Sequence, residues 1–242
     1  MNGLEMVNVI CIKWGTLYGP EFVNKLYSMV QRNLTREHRF VCMTDDDTGI
    51  DERIETLPIP EICMPKGKPK SGWKKLTVFS KELGNLSGKT LFLDLDVVIV
   101  DNIDALFDYA DKFTIIENWT QRGRGIGNSS VFCYEIGQHV DVLEYYQEHM
   151  DEVLAQHNNE QIYLSKKIGD IKYWPDEWCR SFKFHSIPKG ILRYFSPPTI
   201  PPGCKILAFH GHPNPDQAIV GDYGGRFLKY FKPAAWIETY WT

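Results

Sequence analysis

Leu91-Phe92-Leu93-Asp94-Leu95-Asp96-Val97-Val98-Ile99-Val100 is the longest apolar run in the chain, interrupted only by two acids. So dense a run of branched and large apolar side chains predicts one central strand over Lys89–Val100, buried on both faces. Residues two apart on a strand project to the same face, so Asp94 and Asp96 point together while Leu95 points into the other layer. Neighbouring carboxylates repel, and burial adds to the cost of their charge. A bound divalent cation relieves both penalties. The plainer alternative is that one acid caps a turn and the other pairs with a lysine. Ligands of open parallel sheets gather at the carboxyl ends of strands, where this pair is expected.

Working outward, Met6–Ile12 (MVNVICI) reads as a buried strand, and Pro20, after the Gly15–Gly19 turn, suits the first turn of a helix. Phe22, Val23, Leu26, Tyr27 and Val30 give that helix one apolar stripe. Phe40–Met43 predicts a second strand ending in the acidic turn Thr44–Asp47, and Ile54–Ile59 a third. Pro60–Gly72, rich in Pro, Lys and Gly, predicts a surface loop with freedom to move. Trp73–Leu83 returns to helical spacing, with Leu76, Phe79 and Leu83 on one side. Strands are expected at Lys112–Glu117 and Ser130–Glu135, around a glycine-rich loop at Gln121–Asn128. One long helix is expected over Gln138–Gln156, carried by Leu143, Tyr146, Met150, Val153 and Leu154. Beyond Gly169 the chain is irregular, aromatic and proline-rich until Lys205–His210 (KILAFH) gives a last short strand. This alternation predicts an α/β fold, a mostly parallel central sheet with helices on both faces.

Length and charge narrow the function classes. The 242 residues allow one large domain or two small ones, and the absence of repeats favours a single domain over residues 1–242. With 27 Lys+Arg against 31 Asp+Glu the net charge is −4, which excludes the broad basic surface of a nucleic-acid binder. Ordinary apolar and charged content excludes disorder. No apolar run approaches the ~20 residues of a membrane-spanning helix. Met1–Glu5 lacks the basic-then-apolar plan of a signal peptide, so a cytoplasmic protein is expected, in reach of the inner membrane surface. Cys11, Cys42 and Cys133 lie in apolar runs, Cys63, Cys179 and Cys204 are scattered, and thiols are expected throughout. The sequons at Asn33, Asn118 and Asn128 then read as chance matches. The aromatic tail (Trp236, Tyr240, Trp241) is expected either to dock the C-terminus or to touch a membrane interface.

Several candidates follow from the residues themselves. Lys75 lies beside the Leu76/Phe79/Leu83 face and can lean toward a buried phosphate, whereas Lys74 faces water. Glu160 and Gln161 sit near a helix start, with Asn158 or Asn159 as cap. His210 ends the strand KILAF, as a ligand or as a partner of a backbone carbonyl, with His212 an alternative ligand. A zinc site from Cys204, His210 and His212 matches no common spacing. The basic loop Arg122–Gly127 completes neither G-x-G-x-x-G nor a Walker A motif.

In order and spacing these segments resemble the GT-A nucleotide-sugar glycosyltransferases, of the retaining type exemplified by glycogenin and the bacterial lipopolysaccharide galactosyl- and glucosyltransferases. The resembling segments are Met6–Ile12 with Trp14 to Tyr18, Phe40 to Asp45, Trp73-Lys74-Lys75-Leu76, Leu91–Asp96, Asn159-Glu160-Gln161 and Phe209-His210-Gly211. The resemblance implies a GT-A-like, Rossmann-related fold, with a nucleotide-binding half over about 1–100 and an acceptor half over about 101–242. It implies transfer of a sugar from a nucleotide-diphosphate donor, a UDP-sugar, to a hydroxyl of a glycan or glycolipid, with retention. Asp94, Asp96 and His210 would hold Mn²⁺ or Mg²⁺, Lys75 would reach the donor, and Trp14, Tyr18 and Asp45 would lie near the nucleotide. Glu160 or Gln161 would lie beside the transferred sugar. The chain departs from the family in having Asn214 where a diphosphate-contacting lysine is usual, and Lys75, Arg122 or Arg124 would compensate. Two rivals remain. A haloacid-dehalogenase-like phosphatase would use Asp94 as nucleophile, but its motif normally opens the domain and continues Gly-Thr, whereas here 93 residues precede and Val97-Val98 follow. A non-catalytic nucleotide-sugar or carbohydrate-binding module leaves the paired acids unexplained.

Overall fold

Every residue of strand β1 (Val7–Lys13) is buried, and its side chains divide by parity. Val7, Val9 and Cys11 enter one hydrophobic core, while Ile10 and Ile12 enter a second. That division is what a strand covered on both faces requires. The computed structural model describes residues 6–67, 72–225 and 229–242. β1 pairs in parallel with β2 (His38–Thr44) and with β4 (Lys89–Leu93), and β3 (Glu55–Pro58) extends the sheet in parallel beyond β2. On the other side β4 pairs antiparallel with β7 (Gly127–Glu135), β7 antiparallel with β6 (Thr114–Glu117), and β6 parallel with β8 (Lys172–Tyr173). The seven strands run β3-β2-β1-β4-β7-β6-β8, a mostly parallel sheet as the alternation predicted.

The long apolar run is not one strand. β4 stops at Leu93, Asp94-Leu95-Asp96 leaves the ladder, and Val97–Ile99 (β5) joins a second sheet of three strands, β5-β10-β9. Here β9 is Cys179–Ser181 and β10 is Ile206–Ala208. A continuous strand would hold Asp94 and Asp96 on the face of Phe92, inside the second core. Breaking the ladder opens the carboxylates to a cavity instead and leaves Leu95 buried in the first core.

Helix α1 (Pro20–Asn33) has proline in its first turn, Glu21 near its positive end, Arg32 near its negative end, and buries Phe22, Val23, Leu26, Met29 and Val30. Gly72–Phe79 forms a 3-10 helix rather than an α-helix. At three residues per turn Trp73, Leu76 and Phe79 share one buried column, so Lys75 stands one third of a turn away. α2 (Asp104–Tyr109) follows β5. The predicted Gln138–Gln156 helix is two, α3 (Val140–Glu148) and α4 (Met150–Gln156), parted at His149, whose backbone is non-helical. α5 (Glu160–Ile168) is capped by Asn159, whose Oδ1 accepts from the Ile162 amide at 3.1 Å. α6 (Pro215–Val220) and α7 (Ile237–Tyr240) close the chain. Residues 60–67 contain neither helix nor strand, while residues 68–71 and Met1–Glu5 lie outside the described residues. All six cysteines are free thiols. Trp241 is buried against α1, with Lys25 Nζ 3.6 Å from its ring centre, so the aromatic tail docks on the body. Among the described residues no helix is long and apolar enough to cross a membrane.

Candidate active site

Two backbone bonds bring the site together. The Asp94 amide donates to Ser130 O on β7 at 2.9 Å, and the Phe209 amide donates to Asp96 O at 3.1 Å. The antiparallel register of β5 and β10, with Val97 opposite Ala208, therefore sets His210 beside the acidic pair. A cavity of about 360 Å³ opens there, lined by Lys75, Asp94, Asp96, Glu160, Gln161 and His210, with Asn118, Trp119, Ser129 and Phe184 among its other walls. A second cavity, about 160 Å³, adjoins it across Lys75, Asp94 and Asp96 and is walled by Trp14, Leu17 and Tyr18.

Each acid has a partner. Lys75 Nζ donates to Asp94 Oδ2 at 2.7 Å, and Tyr18 OH donates to Asp96 Oδ2 at 2.9 Å. Burial raises the Asp94 carboxyl, opposed by the Lys75 charge. Burial also pulls Lys75 down, but the carboxylates of Asp94 and Glu160 outweigh it and the ammonium is held above its usual value. At Asp96 burial and then the Asp94 charge push the carboxyl up to about 7, offset only in part by the Tyr18 hydrogen bond and the Lys75 charge. Burial, reinforced by Lys183 and His185, lowers His210 to about 4 and keeps its ring neutral near pH 7. That ring lies between Trp119 (centroids 5.5 Å apart, 23° between planes) and Phe184 (5.4 Å), and its Nε2 meets Ser181 Oγ at 2.7 Å.

Glu160 is tied into the same network. Ser129 Oγ donates to Glu160 Oε1 at 3.0 Å, and Lys75 Nζ lies 3.4 Å from Ser129 O. Gly72 makes room for this carboxyl, since a Cβ there would come within 2.6 Å of it.

The cavities gather Trp14, Tyr18, Lys75, Asp94, Asp96, Glu160, Gln161 and His210. Asp45 stands apart from both. Its carboxylate accepts from the Gly15 amide at 3.0 and 3.2 Å and fixes the turn after Trp14. His212 does not line the larger cavity, and its Nδ1 meets Gln217 Oε1 at 3.0 Å. Asn214 precedes α6, with its amide donating to the same Gln217 oxygen at 2.9 Å. Arg122, one of the three residues offered with Lys75 and Arg124 as compensating for Asn214, is paired with Asp176. Lys183 donates to the carbonyl oxygen of His210, a cation that the sequence reading did not single out. Ser129, Trp119 and Phe184 were missed as well. The one signal was the polar run Asn128-Ser129-Ser130 at the start of a buried strand, three polar groups that need partners there.

Among the described residues no group of three or more His, Cys, Asp or Glu is assembled to hold a metal, which covers the Cys204/His210/His212 arrangement as well. The chemistry of the donor set nevertheless suits a divalent cation. Two carboxylates, Asp96 buried and Asp94 half-buried, face one cavity at an electrostatic cost that Lys75 offsets only in part at Asp96, and a neutral imidazole lines the same wall.

The α/β fold with its seven-stranded, mostly parallel sheet matches the fold of GT-A glycosyltransferases. Solved structures with this architecture include the galactosyltransferase LgtC in complex with donor and acceptor sugar analogues, at 14% identity and a TM-score of 0.56, covering 86% of this chain and 88% of that one. An active-site mutant of LgtC aligns over 95% of this chain and 98% of its own at a TM-score of 0.59 and 13% identity. The glycosyltransferase GlyE of Streptococcus pneumoniae TIGR4 aligns over 86% of this chain but 56% of its own, with a TM-score of 0.55 and 13% identity. No protein-family model and no curated protein matches the chain.

Proposed function

We propose that this chain is a metal-dependent glycosyltransferase that moves a sugar from a nucleotide-diphosphate donor, a UDP-sugar, to a hydroxyl of a glycan or glycolipid with retention of configuration. The reading treats residues 1–242 as one domain, with the donor held by about 1–100 and the acceptor by about 101–242. It places the enzyme in the cytoplasm, working at the inner membrane surface. The observation that carries it is the meeting of two cavities on Asp94 and Asp96, within a fold shared with glycosyltransferases.

The smaller cavity suits the nucleoside. Trp14 and Tyr18 offer flat faces to base and ribose, and Asp45 fixes the turn that carries Trp14. Asp94, Asp96 and His210 would hold Mn²⁺ or Mg²⁺, exchanging Lys75, Tyr18 and Ser181 for the ion. Once bound, the ion supplies Lewis-acid stabilisation of the diphosphate leaving group. Lys75, released from Asp94, neutralises phosphate charge. Glu160, aimed by Ser129, steadies positive charge developing at the sugar, and the Gln161 amide orients the incoming hydroxyl. Trp119 and Phe184 keep bulk water from the reacting centre by walling the cavity around His210.

Thermal-shift measurements with UDP, GDP and CDP, each with and without Mn²⁺, test this. UDP stabilises the protein only when Mn²⁺ is present. Asp96→Ala removes that stabilisation and the Mn²⁺-dependent hydrolysis of UDP-sugars, while its far-UV circular dichroism stays native. Undiminished UDP-sugar turnover in EDTA overturns the proposal.

A further inference from the structure

No Asp or Glu occurs between Glu177 and Asp216, in a chain whose acids outnumber its bases. From this stretch Lys183, Lys189 and Arg193 line a cavity of about 570 Å³, and Lys229 completes it from a distant part of the sequence. Among the described residues no carboxylate lines it. Four cations around one hollow repel each other, and an anionic occupant would relieve that repulsion.

The three cavities form a row. The nucleoside-side cavity shares Lys75, Asp94 and Asp96 with the central one, the central one shares Thr120, Phe184 and His210 with the cationic one, and the two ends share no residue. If the donor enters from one end and its sugar reaches the centre, the other end belongs to the acceptor. Exposed apolar side chains flank the lining residues of the cationic end in sequence. Ile191, Leu192, Tyr194 and Phe195 are exposed on the turn after Lys189, and Tyr230, beside Lys229, stacks on Tyr194 at 5.3 Å.

We propose that the cationic cavity is an acceptor subsite for an anionic group of the phosphate class, which anchors the acceptor while its hydroxyl reaches the centre past Phe184 and His210. The assignment to the acceptor rests on the glycosyltransferase reading above. The anion site itself does not. The exposed apolar side chains next to Arg193 and Lys229 favour a lipid carrier, and a soluble sugar phosphate presents the same anionic chemistry.

Full-length protein is sedimented with vesicles of phosphatidylcholine alone, or with about a third phosphatidylglycerol, and is titrated separately with glucose 6-phosphate and glucose. Binding to the anionic vesicles exceeds binding to the neutral ones roughly tenfold, falls at high salt, and is lost in Lys189→Glu/Arg193→Glu. Glucose 6-phosphate binding without a vesicle preference, equally lost in that variant, supports the subsite with a soluble acceptor. Equal binding to both vesicles with no response to glucose 6-phosphate overturns the subsite, as does undiminished binding by the charge-reversed protein. Circular dichroism and the UDP/Mn²⁺ shift check that the variant folds, and Lys189→Ala with the salt series on native protein replaces it if it does not. Absence of the UDP/Mn²⁺ shift in native protein sinks the donor reading alone, because the anion measurements are made without nucleotide.

Discussion

Asp96 accepts a hydrogen bond from Tyr18 at 2.9 Å, and that bond and the Lys75 charge offset its burial and the Asp94 charge only in part. With the folded carboxyl near 7 and the ordinary value at 3.8, the native state binds a proton more tightly than the unfolded chain does. The stability this contributes is present in full below about pH 4 and is lost as pH rises through about 7. At about 1.4 kcal/mol per pH unit the loss is of the order of 4 kcal/mol. His210 has the opposite sign, since its pKa lies near 4 against an ordinary 6.5 and stability falls as pH drops through that window. Comparing native protein with Asp96→Asn cancels the histidine. The asparagine oxygen keeps the Tyr18 bond without the charge, so the variant is the more stable protein at pH 8 and the two converge toward pH 4. Urea melts at several pH values read this difference. A variant no more stable than native at pH 8 would mean that Asp96 carries no charge penalty, which would remove a main argument for a cation at this spot.

At the scale of elements, the 3-10 helix before β4 governs how closely its neighbours approach. Gly72 faces the Glu160 carboxyl, where a Cβ would come within 2.6 Å. The crowded atoms end a flexible side chain, so Gly72→Ala displaces the carboxylate from Ser129 and leaves the packing of Trp73, Leu76 and Phe79 in place. Expected are a roughly ten- to hundredfold fall in kcat for UDP-sugar hydrolysis and an unchanged UDP/Mn²⁺ shift, since misplacing a reacting group by about 1 Å costs that much. Unchanged kcat would remove Glu160 from the chemistry. Local pattern made much of this readable in advance: the period-two core of β1, proline and the apolar stripe in α1, and Asn159 as cap of α5 each follow from neighbours a few residues away. Where local pattern is ambiguous, tertiary structure decided. Trp73, Leu76, Phe79 and Leu83 fit an α-helical stripe, yet a three-residue period holds through Phe79. The Leu91–Val100 run suits one strand by composition, yet the acids are accommodated only by ending it at Leu93. Ser129, Trp119, Phe184 and Lys183 belong to no motif, and their place at the site is set by strand register and loop path.

Across the whole molecule, the C-terminal aromatics connect the first core to the nucleoside-side cavity. Trp241, 4% exposed, meets the Phe22 ring edge-on at 5.1 Å, Phe22 meets Tyr18 at 4.8 Å, and Tyr18 holds Asp96. Arg32 of α1 secures the tail by donating to the carbonyl oxygens of Tyr240 and Thr242 at 2.6 and 2.9 Å. Removing the indole leaves a cavity and also strips Lys25 of its aromatic partner, so Trp241→Ala costs about 3–5 kcal/mol. For a chain of this length that lowers Tm by roughly 10 °C. Because the ring series ends on Tyr18, UDP binding with Mn²⁺ also weakens, by about 0.5–2 kcal/mol. Trp241→Phe, which refills most of the space against Phe22, recovers most of both. Melting curves and UDP titrations on the same three proteins separate the two effects. Lower melting temperature with unchanged UDP affinity would show that the tail staples the core alone, and that Tyr18 is placed by the Gly15–Gly19 turn without help from behind.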